Sequence, residues 1–241
     1  MVMVMRRTSK NSVSMTASAK SVAREGALNS RRMQTPGKRA RISGATARGP
    51  YLPPEDWYQP QDGGHGDYRV VQKSAGEGFR HVLSESDIRE RLALLPAEMV
   101  EQLEVVQLSC MTRKKRQAPC YGMQWGNTIY LYPIESNRVE RVTQAPRPAQ
   151  QIEAQMYGAR WQDLGNGDWH LIWTEEAIRD FYLNNVLIHE LGHVIDNRNS
   201  NAIDRERWAE WFALEFGYKP SRAKQLATAG AKRYFRKRHH R

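Results

Sequence analysis

Val186-Leu187-Ile188-His189-Glu190-Leu191-Gly192-His193-Val194-Ile195-Asp196 contains His-Glu-x-x-His. If the stretch is helical, His189 and His193 are four residues apart and lie one above the other on one face. Two neutral imidazoles at that spacing can hold one zinc ion at about 2.0–2.1 Å each. Glu190 points to the side of the pair, where it can take a proton from a metal-bound water and pass it to a leaving amine. The motif is short, so its surroundings decide the reading.

The surroundings predict a buried helix. Thr174 caps its start, and Glu175 and Glu176 fall in the positive first turn. From Glu175 to Asn197 there is no Pro, and Gly192 is the only Gly. Ile178, Tyr182, Val186, His189 and His193 fall within about 80° on a helical wheel. Leu183, Leu187, Ile188, Leu191, Val194 and Ile195 spread around the rest, so the helix is apolar almost all round. Two histidines and a glutamate inside it must be paired, because an unpaired buried polar group is costly. The bland alternative is a pair of core histidines bonded to backbone carbonyls.

Asn197 to Asn201 is polar and reads as a turn. A second helix is predicted from Asp204 to Gly217, with Gly217 as a C′ glycine. Two helices joined by a short loop lie antiparallel. A fold-back near Asn199 and Ser200 sets Glu206 level with His193 and Glu210 level with His189. Either carboxylate can reach the metal as third ligand, and the other can accept the free N–H of a ligating histidine.

His-Glu-Leu-Gly-His followed by Glu206-x-x-Ala209-Glu210-x-Phe212-Ala213 resembles the gluzincin zinc metallopeptidases. It is most similar to the small ones akin to the anthrax lethal factor catalytic domain and the phage-repressor-cleaving peptidases. The resemblance implies Glu206 as the third zinc ligand, Glu210 as the residue orienting a ligand histidine, and Glu190 as the general base. It implies one zinc per chain and hydrolysis of protein or peptide substrates. The gap from His193 to Glu206 is shorter than is usual in that family, and a rival register makes Glu210 the ligand with Leu214 in place of the acid. Metzincins fit poorly, since Asn199 stands where their third histidine belongs.

The net charge of +11 is unevenly spread. Residues 1–48 hold eleven Lys/Arg and one acid, residues 218–241 hold nine Lys/Arg and none, and the body between is acidic. The expected organisation is a disordered basic arm with a Pro/Gly linker over 1–64, a zincin-like domain over 65–217 and a basic tail over 218–241. The arms fit nucleic acid or another polyanion, and a nucleic-acid-associated protein with a regulatory or inactive peptidase core is the rival function. The arm has no apolar signal core, which suits an intracellular protein; being Arg- and Ser-rich and acid-poor, it also fits an organelle transit segment. No run approaches the roughly 18 apolar residues of a membrane span.

Upstream, Asp87–Leu95 reads as a helix ended by Pro96, and Leu103–Cys110 as a strand. Tyr121–Trp125 and Thr128–Ile134 read as strands joined at Gly126-Asn127. Pro133 suggests a sheet edge there, so Thr128, Tyr130 and Tyr132 are expected on an edge strand that a substrate strand could extend. Gln144–Gln151 reads as a loop, and Gly165-Asn166-Gly167-Asp168 as a hairpin turn. The expected fold is α+β, a small and mostly antiparallel sheet with a zinc helix and a ligand helix. Tyr218 is a candidate transition-state stabiliser. His170, Cys110 and Cys120 read as structural, and His239 and His240 as part of the charged tail.

Overall fold

Three helical segments in series carry the site, and the sheets exist to bury them. The computed structural model describes residues 54–59, 67–117 and 120–227. The basic stretches 1–48 and 228–241, with His239 and His240, lie outside the described residues, as does the Gly-rich part of the linker. Among the described residues no helix is long and apolar enough to cross a membrane.

The chain is α+β. Strand β1 (Arg69–Gln72), β2 (Phe79–Arg80) and helix α1 (Glu85–Leu92) lead into β3 (Val105–Leu108) and the short helix α2 (Arg113–Gln117). Then come β4 (Gly122–Trp125), β5 (Thr128–Leu131), β6 (Ile134–Glu135) and β7 (Val139–Val142). Helix α3 (Pro148–Met156) precedes the hairpin of β8 (Arg160–Gly165) and β9 (Asp168–Ile172). The site-bearing segments follow: α4 (Glu175–Phe181), α5 (Leu187–Ile195) and α6 (Ala202–Phe212).

The main sheet has the order β1-β3-β5-β4, with β1, β3 and β5 parallel and β4 antiparallel to β5. Two smaller sheets, β2-β6 and β7-β9-β8, are antiparallel. The main sheet is therefore mixed, not mostly antiparallel. The β1-to-β3 connection runs through α1, a crossover of the kind that parallel strands require. Thr128, Tyr130 and Tyr132 are not at an edge. β5 pairs on both sides and these three side chains are buried. Pro133 lies just past the end of β5, so it removes nothing from the ladder. The edge beside the site is β4, next to which the sequence turns at Gly126, with φ of 59°.

Local signals mark most element ends. Ser84 and Asp87 form a capping box on α1, and the Thr174 hydroxyl accepts from Ala177 N at 3.1 Å on α4. Asn166 and Gly167 take positive φ of 55° and 83° at the β8–β9 turn, the geometry a two-residue hairpin loop needs. The Gln- and Pro-rich stretch read as a loop is helical from Pro148 onward. Pro148 sits in the first turn, where its missing N–H costs nothing.

The long helix that carries the His-Glu-x-x-His motif is not uniform. Tyr182–Val186 is a π turn between α4 and α5, and Ala213–Tyr218 is a second π turn after α6. The two turns face each other. Arg91 of α1 ties both, donating to Asn184 Oδ1 at 2.7 Å and to the Phe216 carbonyl at 2.5 Å. Gly217 is not a C′ cap, because the chain stays helical through 227. Its role is close approach: a Cβ there would meet the Asn184 carbonyl carbon at 2.9 Å, with the oxygen closer still.

The packed body also exceeds the 65–217 expectation at both ends. Tyr58 donates to Gln107 Oε1 at 2.7 Å, and Arg222 pairs with Asp180 at 2.6 Å. Cys110 and Cys120 are not joined in a disulfide.

Candidate metal centre

Helix α5 is buried from Leu187 through Gly192, and it presses on β4 and β5 through Val186, Glu190 and their neighbours. The Tyr182 hydroxyl anchors the approach to it by donating to the Tyr132 carbonyl at 2.6 Å. Polar side chains in this helix are therefore held in place by packing on all sides.

The turn after α5 fixes where α6 lies. Asp196 Oδ1 accepts from the Arg198 and Asn199 amides at 3.3 and 3.2 Å, and Asn201 caps α6 by accepting from Asp204 N at 2.9 Å. Arg205 reaches back to the His193 carbonyl at 3.1 Å and to Gln124 Oε1 of β4 at 3.3 Å. Trp208 Nε1 donates to the Gly192 carbonyl at 3.1 Å, and Gly192 lets Ala209 and Phe212 pack against the α5 backbone. The fold-back is thus where the sequence puts it.

This geometry brings three donor sets together. His189 Nε2 and His193 Nε2 are 3.1 Å apart. Glu206 Oε2 is 3.5 Å from His189 Nε2, and Glu206 Oε1 is 3.7 Å from His193 Nε2. Among the described residues these three form the one His/Cys/Asp/Glu group that could hold a metal ion. A tetrahedral ion with ligands at about 2.0–2.1 Å separates its donor atoms by about 3.3–3.4 Å, and the observed separations bracket that value. The imidazoles are buried while the Glu206 side chain is half exposed, so one side of the cluster opens to solvent.

The electrostatics favour a cation. Burial pushes His189 down to about 4, against a smaller upward pull from Glu206, so it is neutral at pH 7, the form that ligates. Burial alone would raise Glu206, but hydrogen bonding to the two imidazoles outweighs it and holds the carboxyl below the usual range. The two groups cannot both gain from an ion pair with a neutral imidazole. A neutral His189 beside an ionised Glu206 is the state that the burial of His189 dictates. The Nδ1 atoms of both histidines are buried without a hydrogen-bond partner among the described residues.

Glu190 is buried next to the cluster, and its carboxyl lies against Gly122 of the edge strand β4. A Cβ at Gly122 would sit 2.8 Å from Glu190 Oε1 and 2.7 Å from Val186 Cγ1. Glycine at this position is what gives the carboxyl its place beside β4.

Glu210 does not make the expected bond to His189. It lies one turn past Glu206 on the wall of a cleft of about 400 Å³ that His189 also lines. Burial pushes its carboxyl up to about 7, with the Glu206 charge adding to the shift. Tyr218 lines the same cleft, under the Arg222 guanidinium at 4.7 Å from its ring. His170 lies in β9 opposite Arg141 and Gln162, outside the cluster.

Sequence reasoning missed Glu153 and Asn185. Glu153 of α3 is fully buried on the cleft wall, where its Oε1 accepts from Asn185 Nδ2 at 2.6 Å. Reading residues 144–151 as a loop hid the helix that brings it there. Comparison with protein-family models, curated proteins and solved structures finds no match to this chain.

Proposed function

We propose that the protein is a zinc-dependent endopeptidase. The observation that carries the reading is the convergence of His189, His193 and Glu206 at separations of 3.1–3.7 Å, with Glu190 on the buried helix that carries both histidines. These residues would hold one zinc, which when bound supplies Lewis acidity and lowers the pKa of a coordinated water toward about 7.

The chain's own groups supply the rest. Glu190, held between Val186 and Gly122, accepts the proton of the attacking water and returns it to the leaving amine. β4, the last strand in the order of the main sheet, would align an extended substrate strand beside Glu190. Tyr218, on the cleft wall, would donate to a developing oxyanion. The basic stretches outside the described residues would supply attraction to polyanions without taking part in hydrolysis.

The test is Glu190→Gln. The variant should fold and bind zinc as the parent does and lose roughly 10²–10⁴-fold in turnover. Unchanged turnover would place the chemistry elsewhere.

A further inference from the structure

The cleft beside the metal centre has a feature that hydrolysis does not need. Glu153 is 1 % exposed, so its carboxyl is removed from bulk water. One oxygen is satisfied by Asn185, while the other, Oε2, has no hydrogen-bond partner among the described residues. A buried acid left half-satisfied is costly, and such groups are retained where something else completes them.

The nearby cations do not complete it. Arg207 also lines the cleft, but it pairs with Asp204 at 3.3 Å and is largely exposed. Arg222 is engaged by Asp180 at 2.6 Å and by the Met156 carbonyl at 3.2 Å. A second carboxyl, Glu210, faces the same space. The remaining wall near Glu153 is apolar or aromatic, from Met156, Tyr157, Trp211 and Leu214. Two acids beside apolar and aromatic walls in one cleft suit a long aliphatic stem that ends in a positive charge.

We infer that this cleft is a specificity subsite that takes a lysine or arginine side chain of the substrate next to the scissile bond, with Glu153 as its charge-reading residue. The inference rests on the peptidase reading for the words "scissile bond", but the recognition itself needs only Glu153 and its surroundings. Because His189 lines both the cluster and the cleft, a side chain seated there belongs to a residue flanking the bond that is cut. The stem packs on Met156 and Trp211, and the cationic head bonds the unfilled Oε2, with Glu153 releasing to solvent the proton that burial makes it keep while the cleft is empty.

Two measurements on the full chain test this, and they fail separately. In the first, N-acetyl-arginine amide and its neutral isostere N-acetyl-citrulline amide are titrated calorimetrically into the parent and into Glu153→Gln. Arginine amide should bind the parent at least about 10-fold more tightly than citrulline amide, as expected for a hydrogen bond to a charged group. That ratio should fall to about one in Glu153→Gln, which keeps an acceptor for Asn185. In the second, zinc-loaded protein cuts a peptide library, and peptides with Arg, Lys, citrulline or norleucine at each flanking position are compared. One flanking position should favour Arg and Lys by a similar factor, and the preference should vanish in Glu153→Gln. Equal binding of arginine and citrulline amides by the parent overturns the subsite, even if peptides are cut. Discrimination in binding without any cleavage keeps the subsite and overturns the peptidase reading instead.

Discussion

Gly217→Ala should be the most damaging glycine substitution in the helical layer. Its backbone meets the Asn184 carbonyl at the crossing of the two π turns. A new Cβ would lie 2.9 Å from the Asn184 carbonyl carbon and closer to its oxygen. Both partners are backbone, so relief requires the helices to part and the Arg91 bonds to both turns to stretch. Overpacking typically costs about 1–3 kcal/mol. Alanine returns roughly 0.5–1 kcal/mol of helical preference, too little to offset backbone contact at this distance. A net loss of about 2 kcal/mol lowers the melting temperature by about 4–8 °C for a chain of this size. Gly192→Ala is the internal comparison. Its Cβ would meet Ala209 Cα at 3.1 Å and Phe212 Cβ at 3.2 Å, which a shift of a few tenths of an ångström relieves. The alanine preference then nearly cancels the strain, so a melting shift within about 2–3 °C is expected. Thermal melts of the zinc-free proteins check the ranking. A Gly217→Ala melt equal to the parent's, or below it by less than Gly192→Ala, would refute the close-approach account.

Other consequences concern the site itself. Glu206→Gln should lose tight zinc binding, while Glu210→Gln should keep it, since among the described residues Glu210 makes no hydrogen bond to the Nδ1 of His189 or His193; a competition titration with a zinc chelator that ranked them the other way would move the ligand to Glu210. Burial pushes Glu153 up to about 8 from an ordinary 4.5, so the folded state keeps a proton that the unfolded chain releases. That stability is present below about pH 4.5 and is lost as pH rises through about 8. Glu153→Gln stays neutral, so its melting temperature should gain on the parent's between pH 5 and 8, and parallel curves would contradict the assigned burial. Gly122→Ala should keep the fold but displace the Glu190 carboxyl, lowering turnover with zinc content unchanged; full turnover would show that Glu190 does not need this place beside β4.

The sequence was most legible where structure is local. The Thr174 cap, the Gly126-Asn127 and Asn166-Gly167 turns and the fold-back after α5 are each set by a few adjacent residues. A helical period and a loop length put both Glu206 and Glu210 within reach of the histidines, and it is Glu206 that lies beside His189 and His193. Long-range choices were less legible. The alternation in β5 does not say that β3 flanks it in parallel on one side, so Thr128, Tyr130 and Tyr132 read as an edge when they are interior. The two π turns break the helical period without a Gly or Pro at Tyr182–Val186, and only the opposing backbone explains Gly217. Glu153 was hidden because Pro148 reads as a breaker from the sequence, whereas at the start of a helix it is a favoured residue.

The central claim is that His189, His193 and Glu206 bind a single catalytic ion. Metal analysis of the purified full chain, by mass spectrometry of the digested protein, tests it most directly. One zinc per chain is expected in the parent and in Glu190→Gln, and none in the His189→Ala, His193→Ala double variant. One zinc per chain retained by that folded double variant would contradict it.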